Sequence, residues 1–117
     1  MTQEQKELLL KDICARLPYG VKVQYKDFDP IDLESIDQFT VNGNYLILLC
    51  KPYLRPMSSM TNEERKEFDE YTFEVISFFG LAVEARQLTD WLNAHHFDYR
   101  GLIEMGLALP APEGMYN

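Results

Sequence analysis

The chain has 117 residues, 46% of them hydrophobic and 13% aromatic, which is enough apolar material for one domain with its own core and too much for a disordered chain. Its 19 acidic against 11 basic residues give a net charge of −8, a sign that repels phosphate backbones and so counts against nucleic-acid binding. The longest apolar run, residues 45–50, is far short of the roughly 20 residues that cross a bilayer. The polar, acidic first residues also carry no secretory pattern, so the expected location is the cytoplasm and no membrane partner is expected.

Thr2-Gln3-Glu4-Gln5 fits a capping box, in which the Thr2 hydroxyl and the Gln5 amide each satisfy an orphan backbone donor. Leu9, Leu10, Ile13, Cys14 and Leu17 follow at three- and four-residue spacing, and Pro18-Tyr19-Gly20 stops the pattern. A helix over Gln3–Arg16 is therefore expected, with Cys14 in its buried stripe. Cys50 falls in an apolar strand, and both cysteines are expected to be buried free thiols.

Residues 21–26 alternate apolar and polar, the period of a half-buried strand. Asp29-Pro30 marks a turn, and the alternation of residues 31–34 slips at Ser35-Ile36, as at a bulge or a break between short strands. Asn42-Gly43 is a hairpin signal because both residues tolerate φ > 0. Residues 45–51 then form the return strand, apolar on both faces and hence central. Pro52 lacks a ladder donor, so residues 52–56 are expected to leave the sheet as an extended connector lying over the core through Tyr53 and Leu54.

Thr61-Asn62-Glu63-Glu64 is a second capping box. Phe68, Tyr71, Thr72, Val75, Phe78 and Phe79 continue from it as a helical stripe ending at Gly80. Leu88, Trp91, Leu92 and His95 give a third helix over about residues 83–95. Asp98 reads as the N-cap of a short fourth helix, residues 99–105, stopped at Gly106. The apolar tail from Leu107 onward is expected to be extended and docked. The result is a single α+β domain over residues 1–117, a small antiparallel sheet of about three strands with three to four helices.

Two literal blocks, residues 51–61 (KPYLRPMSSMT) and residues 95–116 (HHFDYRGLI running on to GLAL and APEGMY), resemble a group of small proteins encoded in prophages and other mobile elements of gut anaerobes. The resemblance is close over the C-terminal half and one of pattern over the N-terminal half. It implies a phage-associated or mobile-element context and carries no reaction, cofactor or residue role.

Residues 90–103 hold the only tryptophan and both histidines, and are the first place to look for a site. His95, His96 and Asp98 could serve a small metal-dependent or hydrolytic enzyme. Adjacent histidines on a helix, however, point about 100° apart, where a zinc pair prefers i, i+4. No nucleophile stands beside them, since Ser58, Ser59 and Thr61 are explained by a turn and a cap. The structural alternative puts His95 on the apolar face and His96 at a helix C-terminus, where imidazolium is favoured. Asp27, Asp29 and Asp32 lack the glycine and terminal glutamate of a calcium loop, and no cofactor is expected.

Tyr53, Arg55, His96, Tyr99 and Arg100 are the candidate interaction residues, since tyrosine and arginine are enriched where proteins bind. Against that, each arginine could pair internally and pin a connector to the core. The leading expectation is a non-enzymatic module that binds a protein partner or itself. A third reading takes Asp27, Asp29, Asp32, Glu34 and Asp37, a span free of lysine and arginine, as the acidic face of a DNA mimic that occupies a basic cleft.

Overall fold

The computed structural model describes residues 2–34, 40–41, 44–45, 50–77 and 82–116. Helix α1 spans Gln3–Arg16, and its capping box closes as the sequence dictates: Gln5 N donates to Thr2 Oγ1 at 3.1 Å and Thr2 N to Gln5 Oε1 at 2.9 Å. A single 3-10 turn, Leu17–Tyr19, follows, and Gly20 at φ 76° turns the chain back. The buried face of α1 is formed by Leu9, Asp12, Ile13 and Arg16. Cys14 is exposed, contrary to expectation; it lies about 100° around the helix from Ile13, beyond the edge of that face. Cys50 is a buried free thiol, its pKa raised to about 11 by burial.

Strands β1 (Lys22–Gln24) and β2 (Ile31–Asp32) pair antiparallel across the Asp29-Pro30 turn, with Lys22 opposite Asp32 and ion-paired to it. Strands β3 (Thr40–Val41) and β4 (Asn44–Tyr45) pair antiparallel as a separate two-stranded sheet, Thr40 opposite Tyr45 and Val41 opposite Asn44; the expected Asn42-Gly43 turn lies outside the described residues. The pattern slip at Ser35-Ile36 and most of the expected return strand lie outside the described residues.

Strand β5 is Lys51–Leu54, with Pro52 inside it. This corrects the expectation of a connector: β5 is interior to a four-stranded sheet of order β2-β1-β5-β6. Pro52 is tolerated because pairing with β6 begins one residue later, at Tyr53, so its missing donor falls before that ladder starts. Strand β6, Leu109–Pro110, lies parallel to β5, with Tyr53 opposite Leu109 and Leu54 opposite Pro110. The sheet is thus mixed and one strand wider than expected, and the tail docks by joining it.

Helix α2, Asn62–Ser77, begins at the second capping box: Glu64 N donates to Thr61 Oγ1 and Thr61 N to Glu64 Oε1. Its expected end at Gly80 lies outside the described residues. Helix α3, Ala82–Ala94, packs on α2. One apolar cluster joins α1 to the sheet through Leu9, Ile13, Val21, Val23, Leu33 and Leu54, and includes Leu102, Leu107 and Ala108. A second gathers Trp91, Leu92 and Phe97, with Phe68, Tyr71 and Leu88 packed against it.

No helix forms over residues 99–105; the chain there runs through turns. Gly101 has φ 75°, which interrupts a right-handed helix, and a Cβ placed on it would meet nothing within 4 Å. Backbone conformation, not close packing, is what selects glycine there. Asp98 does cap, but it caps the turn beyond Gly101, its carboxylate accepting Leu102 N at 2.8 Å and Ile103 N at 3.0 Å.

Candidate functional site

Helix α3 ends in a left-handed turn. Phe97 N donates to Leu92 O and His96 N to Asn93 O, both at 3.0 Å, with His96 at φ 62°. This is the Schellman pattern, whose left-handed position normally holds glycine or asparagine. A histidine there carries a backbone cost on the order of 1 kcal/mol, offset by what its ring does. The imidazole of His96 is buried and stacks on Tyr116, ring centroids 3.7 Å apart and 15° from parallel. Its pKa is lowered to about 4 by burial and, behind that, by the charges of Arg16, His95 and Arg55. The ring is therefore neutral near pH 7. The imidazolium expected at a helix C-terminus does not form, because desolvation outweighs the helix dipole.

His95, His96 and Asp98 each engage a different partner. His95 turns to the aromatic cluster, its Nδ1 2.9 Å from Trp91 O and its ring 4.3 Å from the Trp91 ring. Asp98 is committed to the two amides it caps. Among the described residues no group of three or more His, Cys, Asp or Glu side chains is placed to hold a metal ion.

Both candidate arginines pair internally. Arg55 forks onto Glu64 with two contacts of 2.7 Å and lies over the Phe97 ring at 4.3 Å. That pairing, led by the hydrogen bond from Arg55, holds Glu64 down at about 2. The Arg55 backbone carries on where β1 leaves off: its N donates to His96 O at 2.7 Å and its O accepts from Asp98 N at 2.8 Å, so the corner is stitched to the end of β5. Arg100 donates to Asp12 Oδ1 at 2.6 Å and lies over Tyr99, whose hydroxyl donates to Asn93 Oδ1. The Tyr53 hydroxyl donates to Gln24 Oε1.

The sequence reading missed Asp12 and Arg16, both 0% exposed. Arg16 donates to both Asp12 oxygens at 2.9 and 3.1 Å and to Phe97 O at 2.6 Å. The available signal was position: an acid and a base at i, i+4, flanking Ile13 on the face centred between Leu9 and Ile13. Tyr116 was missed as well. Its hydroxyl enters the sheet where the ladder between β1 and β5 stops, accepting Lys22 N at 2.9 Å and donating to Tyr53 O at 2.7 Å. Burial raises its pKa to about 12, so it stays a donor.

Among the described residues, one cleft that faces solvent has about 500 Å³ and lies between residues 55–61 and residues 110–116, with Arg55, Pro56, Pro110, Ala111, Pro112 and Met115 among its walls; another, of about 470 Å³, is lined by Tyr19, Tyr71, Gln87, Asp90, Trp91 and Ala94. The hydroxyl groups of the first cleft are engaged locally: Ser59 Oγ donates to Pro56 O, and Thr61 Oγ1 accepts Glu64 N. Of the acidic span, Asp27, Asp29 and Glu34 are exposed, Asp32 pairs with Lys22, and Asp37 lies outside the described residues.

No protein-family model, curated protein or solved structure matches the chain.

Proposed function

We propose that this protein is a non-enzymatic accessory module of a mobile element that binds an extended segment of a partner protein in the cleft between residues 55–61 and 110–116. The observation that carries the reading is the composition of that cleft. Its walls are two proline-bearing segments, one carrying the 3-10 turn Met57–Ser59 and the other a turn over residues 113–116, and its hydroxyls and its arginine are already bonded within the chain. Such a surface offers apolar contact and shape, with the exposed Glu113 as the carboxylate in its lining. Both walls fall within the two blocks that carry the mobile-element resemblance. The histidines that would serve an enzyme are turned to aromatic neighbours instead.

The test is affinity capture from lysate of the native host, comparing wild type with Ala111→Trp, which fills the cleft while leaving the sheet register alone, alongside light scattering of the purified protein. A partner held by wild type and lost by Ala111→Trp is the expected result. A strictly monomeric protein whose captured set is identical for both chains would remove the reading.

A further inference from the structure

The segment forming one wall of the cleft is attached to the rest of the chain at its two ends. At one end Leu109–Pro110 pairs with β5 and Ala111 N donates to Leu54 O at 2.8 Å. At the other, Tyr116 is held by its stack on His96 and by its hydroxyl between Lys22 and Tyr53. Between Ala111 and Tyr116 the only hydrogen bond among the described residues is internal, Met115 N to Pro112 O at 3.1 Å. Residues 112–114 are exposed. A segment fixed at two points with nothing between them is a strap, and its outer fixing point is one aromatic side chain.

We propose that residues 112–116 are a releasable strap latched by Tyr116 on His96, and that a proton taken up by the His96 ring opens the latch and removes one wall of the cleft.

The surroundings of His96 leave no place for an added positive charge. Arg16 comes from α1, Arg55 from the end of β5, and His95 from the same turn, and each opposes protonation. The nearby carboxylates are committed elsewhere: Asp12 to Arg16 and Arg100, and Asp98 to the amides of Leu102 and Ile103. The Nδ1 atom of His96 is buried without a hydrogen-bond partner among the described residues, so a protonated ring would carry an unpaired donor there. Undocking Tyr116 lets water reach the ring and solvate that charge. Lys22 N and Tyr53 O, the groups that Tyr116 leaves, then meet water as well, so opening strands no buried polar atom.

The sign follows from linkage. The docked ring has its pKa lowered from 6.5 to about 4, so docking is at full strength above pH 6.5 and weakens as pH falls toward 4. Between pH 7.5 and pH 5.0 the released form gains at most about 30-fold over the docked one, the limit in which release returns the ring to its ordinary value, since the charges of Arg16, Arg55 and His95 stay beside it. The consequence for a partner rests on the reading of the cleft given above: a segment bound at neutral pH is let go on acidification. Strap release itself is measurable with the purified chain alone.

Amide hydrogen exchange of Lys22 reads the latch directly, because its N–H is bonded to the Tyr116 hydroxyl. After correction for intrinsic exchange rates, the Lys22 protection factor should lie well below that of Ile13 in α1. It should fall several-fold, and at most about 30-fold, from pH 7.5 to 5.0, with a midpoint that tracks the His96 ring titration by NMR. His96→Asn, which suits the left-handed backbone and takes up no proton, should abolish the fall; Tyr116→Ala should leave Lys22 unprotected at both pH values. The proposal is overturned if Lys22 exchanges only as slowly as Ile13, if its protection holds at pH 5.0, or if His96→Asn retains the pH response. Should His96→Asn not fold, the agreement or disagreement of the two wild-type midpoints decides.

Discussion

Two regions of this molecule are held together in different ways. The pair of α2 and α3 rests on aromatic packing: Phe68 and Tyr71 lie 6.2 and 6.1 Å from the Trp91 ring, and Trp91 Nε1 donates across to Glu67 at 2.8 Å. The corner after α3 is held by polar groups reaching across the sequence. Arg16 bonds Phe97 O over 81 positions, Arg100 bonds Asp12 over 88, and Tyr116 bonds Lys22 over 94. Apolar contacts are non-directional and tolerate shifts, whereas buried ions and hydrogen bonds fix one geometry or leave an unsatisfied group. The concentration of histidine, aspartate and arginine near residues 95–100 is therefore a set of fastenings for an irregular chain.

The contrast can be broken first at Asp12. Asp12→Ala leaves Arg16 buried without its anion and frees Arg100, and should cost about 3–5 kcal/mol in urea unfolding; a loss below about 1 kcal/mol would mean the corner does not depend on the cluster. On the other side, Phe68→Ala removes a half-buried ring from the α2 and α3 pair and should cost about 2–3 kcal/mol. Because the two sites share no partner, their effects should add to within about 0.5 kcal/mol, and a larger coupling would show that the regions are not independent.

Asp98→Ala takes the acceptor from the amides of Leu102 and Ile103 and should cost about 2 kcal/mol. Tryptophan fluorescence of the folded variant should remain native, because the Asp98 carboxylate bonds Leu102 and Ile103 and not the His95 and Phe97 rings that pack on Trp91; a shifted spectrum would contradict that separation.

Acid sharpens the contrast further. The Glu64 carboxyl, lowered to about 2 by Arg55, contributes stability that is full above its ordinary value near 4.5 and is lost as pH falls through 2. His96 contributes stability that is lost earlier, from pH 6.5 down toward 4. The melting temperature should thus decline in two stages on acidification. Glu64→Gln should lower it at pH 7 by the equivalent of about 1 kcal/mol and flatten the lower stage alone; flattening of the upper stage instead would assign that stage wrongly to His96.

What was legible in the sequence follows the same division. Both capping boxes, the three long helices and the α+β class came from local spacing, where one residue type answers a backbone need within four positions. The docking of the tail was legible from its apolar content, but its partner was not, since parallel pairing of β6 with β5 leaves no local period. Pro52 misled because a rule about missing donors says nothing about which edge of the strand the donor would face. Cys14 misled because a stripe read from apolar residues alone is drawn too wide; the true centre of the α1 face includes the charged Asp12 and Arg16. Of the five candidate interaction residues, Arg55 lines the cleft, while His96, Tyr99 and Arg100 are drawn into the corner and Tyr53 into the sheet. Polar contacts formed across more than 80 positions have no signature in periodicity.

The most direct test of the corner as a structural fastening is a double-mutant cycle on Asp12→Leu and Arg16→Met, followed by urea unfolding. If the buried pair pins the chain, each single variant loses about 3–5 kcal/mol and the double variant recovers part of that loss, because neither Asp12 nor Arg16 is then left buried alone while Arg100 still lacks its anion. Single variants within about 0.5 kcal/mol of wild type, or a double variant whose loss is the plain sum of the two, would contradict it.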